Sequence, residues 1–375
     1  MQQLPDPEFT AEQKVLLWAI RTDDIMDKDV AGILTAGIDW KYVRETAAQH
    51  GVIPVLYQRL KGEMTEFVPP DELLTLKKLF RENVIRNIRM TQRLFQILDL
   101  LAGSGIAAMP FKGPALAVQA YGDLSMRRFR DLDILIHAED IDQAYRILSD
   151  HGYLLINPGQ MNIERKFGFL NQKDLKFSYQ GSILELHWDV IERFLAVPLD
   201  LKEFWSRSVP VEITGRIFST LSPEDMVLLL CFHGHKHGWQ DIGWLSDLIS
   251  MISHHPDLKW YEIFSRAENL GLKRIVITSL FLAHNYGGIR CNPEFENLFM
   301  RDTTVHKLAR DLQFDIFRAR TLAISPFFYL KSRERFRDQI RFLLYYPANR
   351  GLVLLRWLIR PFTHIRGNLS ENEAR

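Results

Sequence analysis

Two aspartates, Asp131 and Asp133, alternate with apolar residues in the run RDLDILI at positions 130–136. Because successive side chains of a β-strand point to opposite faces, aspartates two positions apart lie on the same face. Two neighbouring carboxylates repel each other unless a cation neutralises them. The simplest such cation is Mg²⁺, a hard ion that takes oxygen ligands and also holds substrate phosphates. The pair therefore predicts an enzyme that acts on phosphates.

Three further features strengthen this prediction. Lys112-Gly113 follows a short apolar segment, where glycine lets backbone N–H groups approach a phosphate and lysine supplies charge. Three arginines between positions 127 and 130 directly precede the aspartates and are placed to grip phosphate oxygens. Glu185 lies between two leucines in the run LELHW, and a buried acid needs a partner. A metal ion held by the two aspartates is a candidate for that partner.

Each of these residues also has a purely structural interpretation. Asp131 and Asp133 could form a salt-bridge cluster with the neighbouring arginines. Glu185 could be a core acid paired to a lysine, and Lys112-Gly113 could be a plain turn. The residues alone leave these alternatives open.

The composition is that of a globular protein. The chain has 375 residues, of which 47% are apolar and 25% are charged, and its net charge of +1 argues against a wholly basic nucleic-acid binder. Cys231 and Cys291 form no metal-ligand pattern. The first residues lack the plan of a signal peptide, and no segment has about eighteen uninterrupted apolar residues. We therefore expect a cytoplasmic protein.

The periodicity of apolar residues divides the chain into a β-rich island between two helical regions. Residues 1–105 are expected to be an N-terminal helical region, with a long helix at 71–104. The island spans 106–192, a C-terminal helical region spans 193–367, and a disordered tail follows at 368–375. The expected fold class is α+β, with a small mixed-sheet core flanked by helices.

Individual elements follow from turn and capping signals. The sequence predicts strands at 106–111, 130–137, 167–170, 175–179 and 182–190, the last three forming an antiparallel meander. It predicts helices within the island at 115–121 and 139–151, and beyond it at 224–238, 241–254, 259–271, 273–286, 303–320 and 332–347.

His233 and His237 are one helical turn apart and share a face. This is the zinc-ligand spacing of a metalloprotease, but position 234 is glycine where that motif needs glutamate, so we do not expect zinc. Two alternatives stay open. The histidines either pack against the core, with a bond to Asp247, or point into a cleft near the acceptor substrate of the predicted phosphate-handling enzyme.

The segment 331–366 holds nine Lys or Arg residues and two acidic residues, a net charge of +7. Such a segment could make a weak contact with an anionic membrane surface or an RNA backbone. We favour a docking helix that packs on the protein with its arginines reaching outward.

The chain also carries YGDLSMR at 121–127, GY at 152–153 and LSPED at 221–225. Together with the motifs described above, these residues resemble the DNA polymerase beta-like nucleotidyltransferase superfamily. The details resemble one branch, an uncharacterised nucleotidyltransferase family often seen beside bacterial biosynthetic clusters. The glycine turn, Lys112-Gly113-Pro114, departs from the Gly-Ser of most of the superfamily. The resemblance covers roughly residues 75–255 and rests on FKG at 111–113, YGDLSMR at 121–127, DLDILI at 131–136, GY at 152–153, ELHW at 185–188, LSPED at 221–225, His233, His237, Trp244 and Asp247.

The resemblance implies transfer of a nucleoside monophosphate from an NTP to an unknown acceptor hydroxyl or phosphate, with Mg²⁺ or Mn²⁺ as cofactor. The acceptor is a small molecule, a peptide or a protein. A catalytically degenerate nucleotide- or partner-binding module, a kinase-like phosphoryl transfer and a membrane-surface protein are the alternatives. The implied catalytic and metal-binding acids are Asp131, Asp133 and Glu185, and the implied nucleotide-binding residues are Lys112, Gly113, Arg127, Arg130 and His187.

Overall fold

The structure, a computed structural model, has a mixed five-stranded sheet with helices before and after it in the chain. This confirms the α+β class with a small mixed-sheet core and helices at both ends. The predicted tail at 368–375 and the predicted strand at 167–170 lie outside the described residues. Those residues are 8–24, 26–62, 64–156, 173–192, 195, 197–289, 293–317 and 326–350.

The long helix predicted at 71–104 is present as Pro70–Gly103. It begins with proline at its first position and with Asp71 and Glu72 in its first turn, where a fixed φ and negative charge favour a helix start. The helices before the sheet are α1 Ala11–Ala19, α2 Asp27–Ala36, α3 Trp40–Gln49, α4 Ile53–Leu60 and α5 Pro70–Gly103.

The sheet has the order β1-β2-β5-β4-β3, with β2 and β5 parallel and the other neighbours antiparallel. The last strand ends at His187, short of the predicted position 190. Helices α6 Pro114–Tyr121 and α7 Ile141–Asp150 connect the first strands. The strands are β1 Ala108–Pro110, β2 Asp131–Ile136, β3 Leu154–Leu155, β4 Asp174–Tyr179 and β5 Ser182–His187.

The hairpin of β4 and β5 has a two-residue turn. Gln180 and Gly181 both have positive φ, 46° and 75°, as expected for the tight turn that matches the twist of antiparallel strands. Tyr179 therefore pairs with Ser182, and every later pair follows from this register. The turn thus decides which side chains of β4 face those of β5.

After the sheet, the chain forms a second hairpin that the sequence analysis does not predict. Strands β6 Val209–Ile213 and β7 Arg216–Thr220 pair around Thr214 and Gly215, inside the stretch expected to be helical. The predicted helices beyond it are present with shifted ends. They are α9 Pro223–Lys236, α10 Ile242–His254, α11 Trp260–Leu270, α12 Lys273–Gly287, α14 Thr303–Asp315 and α16 Phe336–Arg350. Three further helices were not predicted, namely α8 Leu201–Ser206 before the hairpin, α13 Pro293–Arg301 and α15 Pro326–Ser332.

Two apolar clusters hold these elements together. One joins the first four helices to the helices after residue 221, and Arg21 adds a hydrogen bond from its Nη1 to the carbonyl of Asn285. The other lies between one face of the sheet and α5, with Leu132, Ile134 and Leu184 among its members. The opposite face of the sheet therefore stays available for polar residues.

The described part of the basic C-terminal segment packs onto the protein. Buried Arg333 donates to the carbonyls of Gly271 and Leu195, and Arg335 pairs with Asp338. These contacts agree with the docking-helix alternative, although residues 351–366 lie outside the description. Among the described helices, none combines the length and the apolar character that a membrane crossing requires.

The turn between α9 and α10 depends on Gly234. Trp239 is fully buried, has a left-handed φ of 52°, and donates its backbone N–H to the carbonyl of Gly234 at 2.8 Å. A Cβ at position 234 would lie 2.4 Å from the Trp239 ring. This packing explains why glycine stands where a zinc protease has glutamate.

We expect Gly234→Ala to lower the free energy of unfolding by about 1–3 kcal/mol, because the indole ring of Trp239 must move to admit a methyl group. Chemical denaturation measures the change. The matched control is Gly32→Ala in α2, where no atom lies within 4 Å and alanine should add about 0.5–1 kcal/mol. Equal stability of Gly234→Ala and the wild type would contradict this packing.

Candidate functional site

Polar side chains from three adjacent strands share the open face of the sheet. Parallel pairing sets Asp133 of β2 beside Glu185 of β5, and the hairpin register sets Lys176 of β4 on the other side of Glu185. Because strand side chains alternate, Asp131 and His187 lie on the same face, two residues along their own strands. The sequence-predicted acids are therefore brought together.

Short contacts link these acids to cations. The Nζ of Lys112 lies 3.7 Å from Oδ1 of Asp133, and Nε2 of His187 lies 3.1 Å from the same oxygen. His187 Nε2 is also 3.6 Å from Oε2 of Glu185, whose other oxygen pairs with the ammonium of Lys176. The pairing of Glu185 to a lysine was one of the two interpretations that the sequence left open.

The surroundings separate the pKa values of the two aspartates. Burial raises the pKa of Asp131, and the negative charges of Asp133 and Glu185 raise it further. Burial also acts to raise the pKa of Asp133, but the charge of Lys112 and the hydrogen bond from His187 outweigh it and hold that pKa well below its ordinary value. Two neighbouring carboxyl groups thus differ in how readily they ionise.

The other partners respond to the same contacts. Burial opposes ionisation of Glu185, yet hydrogen bonds from His187 and Lys176 lower its pKa to about 2. Burial acts to lower the pKa of His187, but its hydrogen bonds to Asp133 and Glu185 raise it overall. The hydrogen bonds of His187 therefore favour the ionised form of both acids.

Gly113 connects β1 to α6 beside the aspartates. Its φ is +54°, in the left-handed region that favours glycine, and a Cβ there would lie 3.3 Å from the carbonyl oxygen of Asp131. The turn can approach β2 closely for this reason. The approach places Lys112, one residue earlier, within reach of Asp133.

Arg127 is held from the helical side. Its Nε donates to both carboxylate oxygens of Asp247, at 2.9 and 3.0 Å, and the hydroxyl of Tyr121 donates to Asp247 Oδ1 at 2.9 Å. Burial acts to lower the pKa of Arg127, but the charge of Asp247 outweighs it and raises that pKa. Asp247 thus binds Arg127 and Tyr121. One alternative from the sequence was a bond between Asp247 and the histidines, and the contacts of the described residues do not include it.

A cleft of about 460 Å³ lies between the polar face of the sheet and helices α9 and α10. His233 and His237 point into it, which was the other alternative for these residues. The cleft is lined by Lys112, Leu116, Arg127, Asp131, Asp133, Lys173, Asp174, Lys176, Glu185, Glu192, Leu230, His233, Lys236, His237, Trp244 and Asp247.

A second cavity of about 250 Å³ adjoins the cleft. Four residues line both spaces, namely Arg127, Asp131, Trp244 and Asp247. Arg130, which the sequence analysis assigned to nucleotide binding, is exposed and lines only the second cavity. Its role stays a prediction.

Asp133, Glu185 and His187 together could hold a metal ion. One ligand atom from each lies within 4.8 Å of the others, and among the described residues they are the group that meets this criterion. Two carboxylates and an imidazole are a donor set that fits a divalent cation. From the sequence, Asp131 is expected to bind the metal ion together with the two acids, and His187 is expected to bind the nucleotide. His187 is fully buried behind the acids.

Several cleft residues were not predicted. Lys176 was missed, although the two-residue turn at 180–181 is visible in the sequence and fixes its position opposite Glu185. Lys173 lies just before β4, and Lys236 lies on α9, where it pairs with Glu192. No local signal shows that Lys236 reaches the same cleft, because its place depends on how the helices pack.

Replacing Asp131 or Asp133 with asparagine should change the free energy of unfolding, measured in EDTA at neutral pH, and the two changes should have opposite signs. The pKa of Asp131 is raised on folding, so its ionisation costs stability, and Asp131→Asn should add about 0.5–2 kcal/mol to the free energy of unfolding. The pKa of Asp133 is lowered, so its ionisation stabilises the fold, and Asp133→Asn should remove about 1.5–3 kcal/mol.

Chemical denaturation from neutral to acidic pH tests this pair. The gain from Asp131→Asn should shrink as the pH falls through the raised pKa of Asp131, because the wild-type side chain then becomes neutral as well. The stabilising contribution of ionised Asp133 should be lost progressively as the pH falls from the ordinary pKa of an aspartate towards its lowered pKa in the folded protein. A change of the same sign in both variants would contradict this description of the charges.

Three solved structures show a remote similarity to the chain. The antibiotic-resistance factor ANT(2'')-Ia is 12% identical, with a TM-score of 0.35 over 48% of this chain and 89% of its own. The lincosamide antibiotic adenylyltransferase LnuA, bound to lincomycin, is 18% identical, with a TM-score of 0.30 over 44% of this chain and 96% of its own. An antigenic nucleotidyltransferase-like protein from Paracoccidioides brasiliensis is 15% identical, with a TM-score of 0.32 over 63% and 93%.

Such TM-scores are too low to carry an inference about fold or substrate. No curated protein matches the sequence. The profile of one protein family does match, over residues 36–288, which is more than half of the chain and includes the acids, the cleft lysines and both helices of the cleft. The protein therefore belongs to the family described as "Uncharacterised nucleotidyltransferase".

Proposed function

We propose that this protein transfers a nucleoside monophosphate from an NTP to a hydroxyl or phosphate group of an acceptor. One observation carries the proposal: the three acids predicted from the sequence face a cleft that also holds five cationic side chains. The acids are Asp131, Asp133 and Glu185, and the cations are Lys112, Arg127, Lys173, Lys176 and Lys236.

In the proposed reaction an acceptor oxygen attacks the α-phosphorus of the NTP. A new P–O bond forms, the bond between the α-phosphorus and the bridging oxygen breaks, and pyrophosphate leaves with the electron pair. The acceptor loses its proton to a carboxylate of the site, and Asp131, whose pKa is raised, is better suited to this step than Glu185, whose pKa is lowered. A triphosphate carries several negative charges, so the cationic side chains of the cleft would bind and orient it.

Lys112 and Arg127 are the cations best placed for this task. Lys112 follows β1 at the glycine turn, and its ammonium already lies 3.7 Å from Asp133. Asp247 fixes Arg127 through its Nε, in a position that lines the cleft. Guanidinium and ammonium groups both bind phosphate oxygens, the former with a fixed fork of donors.

The residues present fit a divalent cation such as Mg²⁺ or Mn²⁺. Asp133, Glu185 and His187 would hold it. Asp131, which the sequence groups with the two acids, is a further candidate. A bound divalent cation neutralises charge on phosphate oxygens and helps to orient the reacting groups. Asp131 lines both the cleft and the second cavity. With the donor in the cleft and the acceptor in the second cavity, Asp131 would lie between the two substrates.

The second candidate is a degenerate member of the family that binds a nucleotide or a partner without turnover. It is favoured by the pairing of the acids, because Lys112, His187 and Lys176 already neutralise Asp133 and Glu185. Acids that are neutralised by protein side chains do not need a metal ion to be stable. A binding measurement separates the two candidates from a site that takes no nucleotide at all.

We expect Asp131→Asn/Asp133→Asn to weaken Mg²⁺-dependent NTP binding by about 10–100-fold or more, since both changes remove charge from the metal-binding side of the cleft. Calorimetry with each of the four NTPs, in Mg²⁺ and in EDTA, measures the effect. The control is Glu66→Gln, an exposed acid outside the cleft.

Turnover is then followed with NTP labelled at the α- or the γ-phosphate in an acceptor screen. Transfer of the α-label supports nucleotidyl transfer, whereas transfer of the γ-label alone would indicate a kinase. Metal-dependent binding with no transfer favours the degenerate module. Absence of binding to every NTP would contradict nucleotidyl transfer and would leave only the partner-binding form of the second candidate.

Lys176→Gln should have opposite effects on the affinity for Mn²⁺ and on the affinity for NTP. Lys176 competes with a cation for Glu185, so its loss should strengthen Mn²⁺ binding without nucleotide by about two- to fivefold. The same loss removes a positive charge from the triphosphate site and should weaken NTP binding. Electron paramagnetic resonance of free Mn²⁺ and calorimetry of NTP give the two affinities, with exposed Lys77→Gln as control. Unchanged Mn²⁺ binding would exclude a metal ion at Glu185.

A further inference from the structure

Three rings form an aromatic surface on the helical side of the cleft. We call His233, His237 and Trp244 the aromatic wall. Ring centroids are 4.9 Å apart for the two histidines, 5.2 Å for His233 and Trp244, and 5.0 Å for His237 and Trp244. All three residues line the cleft and all are half-buried, so part of each ring is open to a ligand.

The wall has a fixed position relative to the cationic residues. Trp244 and Asp247 are three residues apart on α10 and therefore share a face of that helix. Asp247 holds Arg127 through two hydrogen bonds, which ties this face to the loop before β2. Trp244 and Arg127, which is proposed to bind phosphate, consequently line the same cleft.

The histidines of the wall are neutral aromatic rings at physiological pH. Burial lowers the pKa of His233 well below its ordinary value, and the charges of Lys112 and Lys236 act in the same direction. Burial lowers the pKa of His237 to about 4, with Lys236 as the next cause. Neutral imidazoles present flat faces without adding to the positive charge of the cleft.

The remainder of the described cleft lining has a different character. It consists of charged side chains together with Leu116 and Leu230, so the wall supplies the aromatic rings of the lining. A ligand that fits the whole cleft thus needs a polyanionic part and a planar ring at one end. A nucleoside triphosphate has this structure, and bases stack on aromatic side chains regardless of their identity.

We propose that the aromatic wall binds the nucleobase of the NTP donor, with Trp244 as the main stacking surface. The inference rests on the proposed function and extends it by assigning a base subsite to α9 and α10. The second cavity, which shares Asp131 and Trp244 with the cleft, is then left for the acceptor. If a ring of the acceptor stacks on Trp244 instead, Trp244→Leu should leave ATP binding unchanged, which would overturn the inference.

The experiment compares ATP with inorganic tripolyphosphate, which lacks the ribose and the base. Calorimetry in Mg²⁺ gives the affinity of both for wild type, Trp244→Leu and Trp244→Phe. We expect wild type to bind ATP more tightly than tripolyphosphate. Trp244→Leu should weaken ATP binding by roughly 5- to 150-fold and leave tripolyphosphate binding unchanged, because only the base loses its contact. Trp244→Phe, which keeps a ring, should retain most of the ATP affinity.

Trp260→Leu is the matched control, since Trp260 is half-buried on α11 and is not among the cleft residues. Thermal melting checks that every variant is folded. Should Trp244→Leu unfold, His237→Leu replaces it and is expected to reduce the preference for ATP over tripolyphosphate in the same direction.

The outcomes separate the inference from the function on which it rests. Metal-dependent ATP binding that Trp244→Leu leaves unchanged would overturn the base subsite alone. Equal loss of ATP and tripolyphosphate in that variant would also overturn it, because the tryptophan would then act on the triphosphate. Absence of metal-dependent binding of either anion to wild type would overturn the proposed function, and the inference with it.

Discussion

The concentration of negative charge on one face of the sheet is the constraint on which the site depends. Strand register sets Asp133 beside Glu185, and Asp131 lies two residues from Asp133. Like charges at such distances are costly in a partly buried site. The protein offsets this cost with Lys112 from the glycine turn and Lys176 from the neighbouring strand, so the fold of three separate segments determines whether the acids can stay ionised.

The same balancing of charge stabilises the helical side of the cleft. Fully buried Asp225, in the first turn of α9, accepts hydrogen bonds from Arg207 and Arg266 and from the hydroxyl of Ser222. These bonds fix the start of the helix that carries the histidines. Packing of Gly234 against Trp239 fixes its end, and the helix that follows carries Asp247. The charged contacts of Asp225 and Asp247 therefore also position the two helices that line the cleft.

Local sequence patterns were enough to predict the parts of the site that lie on one strand or one turn. The alternation around Asp131 and Asp133, the glycine at 113 and the acid between leucines at 185 each reveal their own element. Lys176 was also within reach, because a two-residue turn at 180–181 fixes which residue faces Glu185. The hairpin at 209–220 was missed because the region from 193 onward was assigned as helical as a whole, although the two-residue turn at Thr214-Gly215 joins two alternating runs.

Local sequence patterns do not predict contacts between segments that are distant in the chain. The complete burial of His187 and the position of Lys236 in the cleft depend on how segments distant in the chain pack together. This packing matters for binding as well as for stability. The cations that neutralise the acids in the ligand-free protein are also those that a triphosphate would need. A nucleotide that draws Lys112 and Lys176 towards its phosphates would leave carboxylates without partners, and a divalent cation would then take their place. Binding of nucleotide and of metal would therefore be linked, each favouring the other.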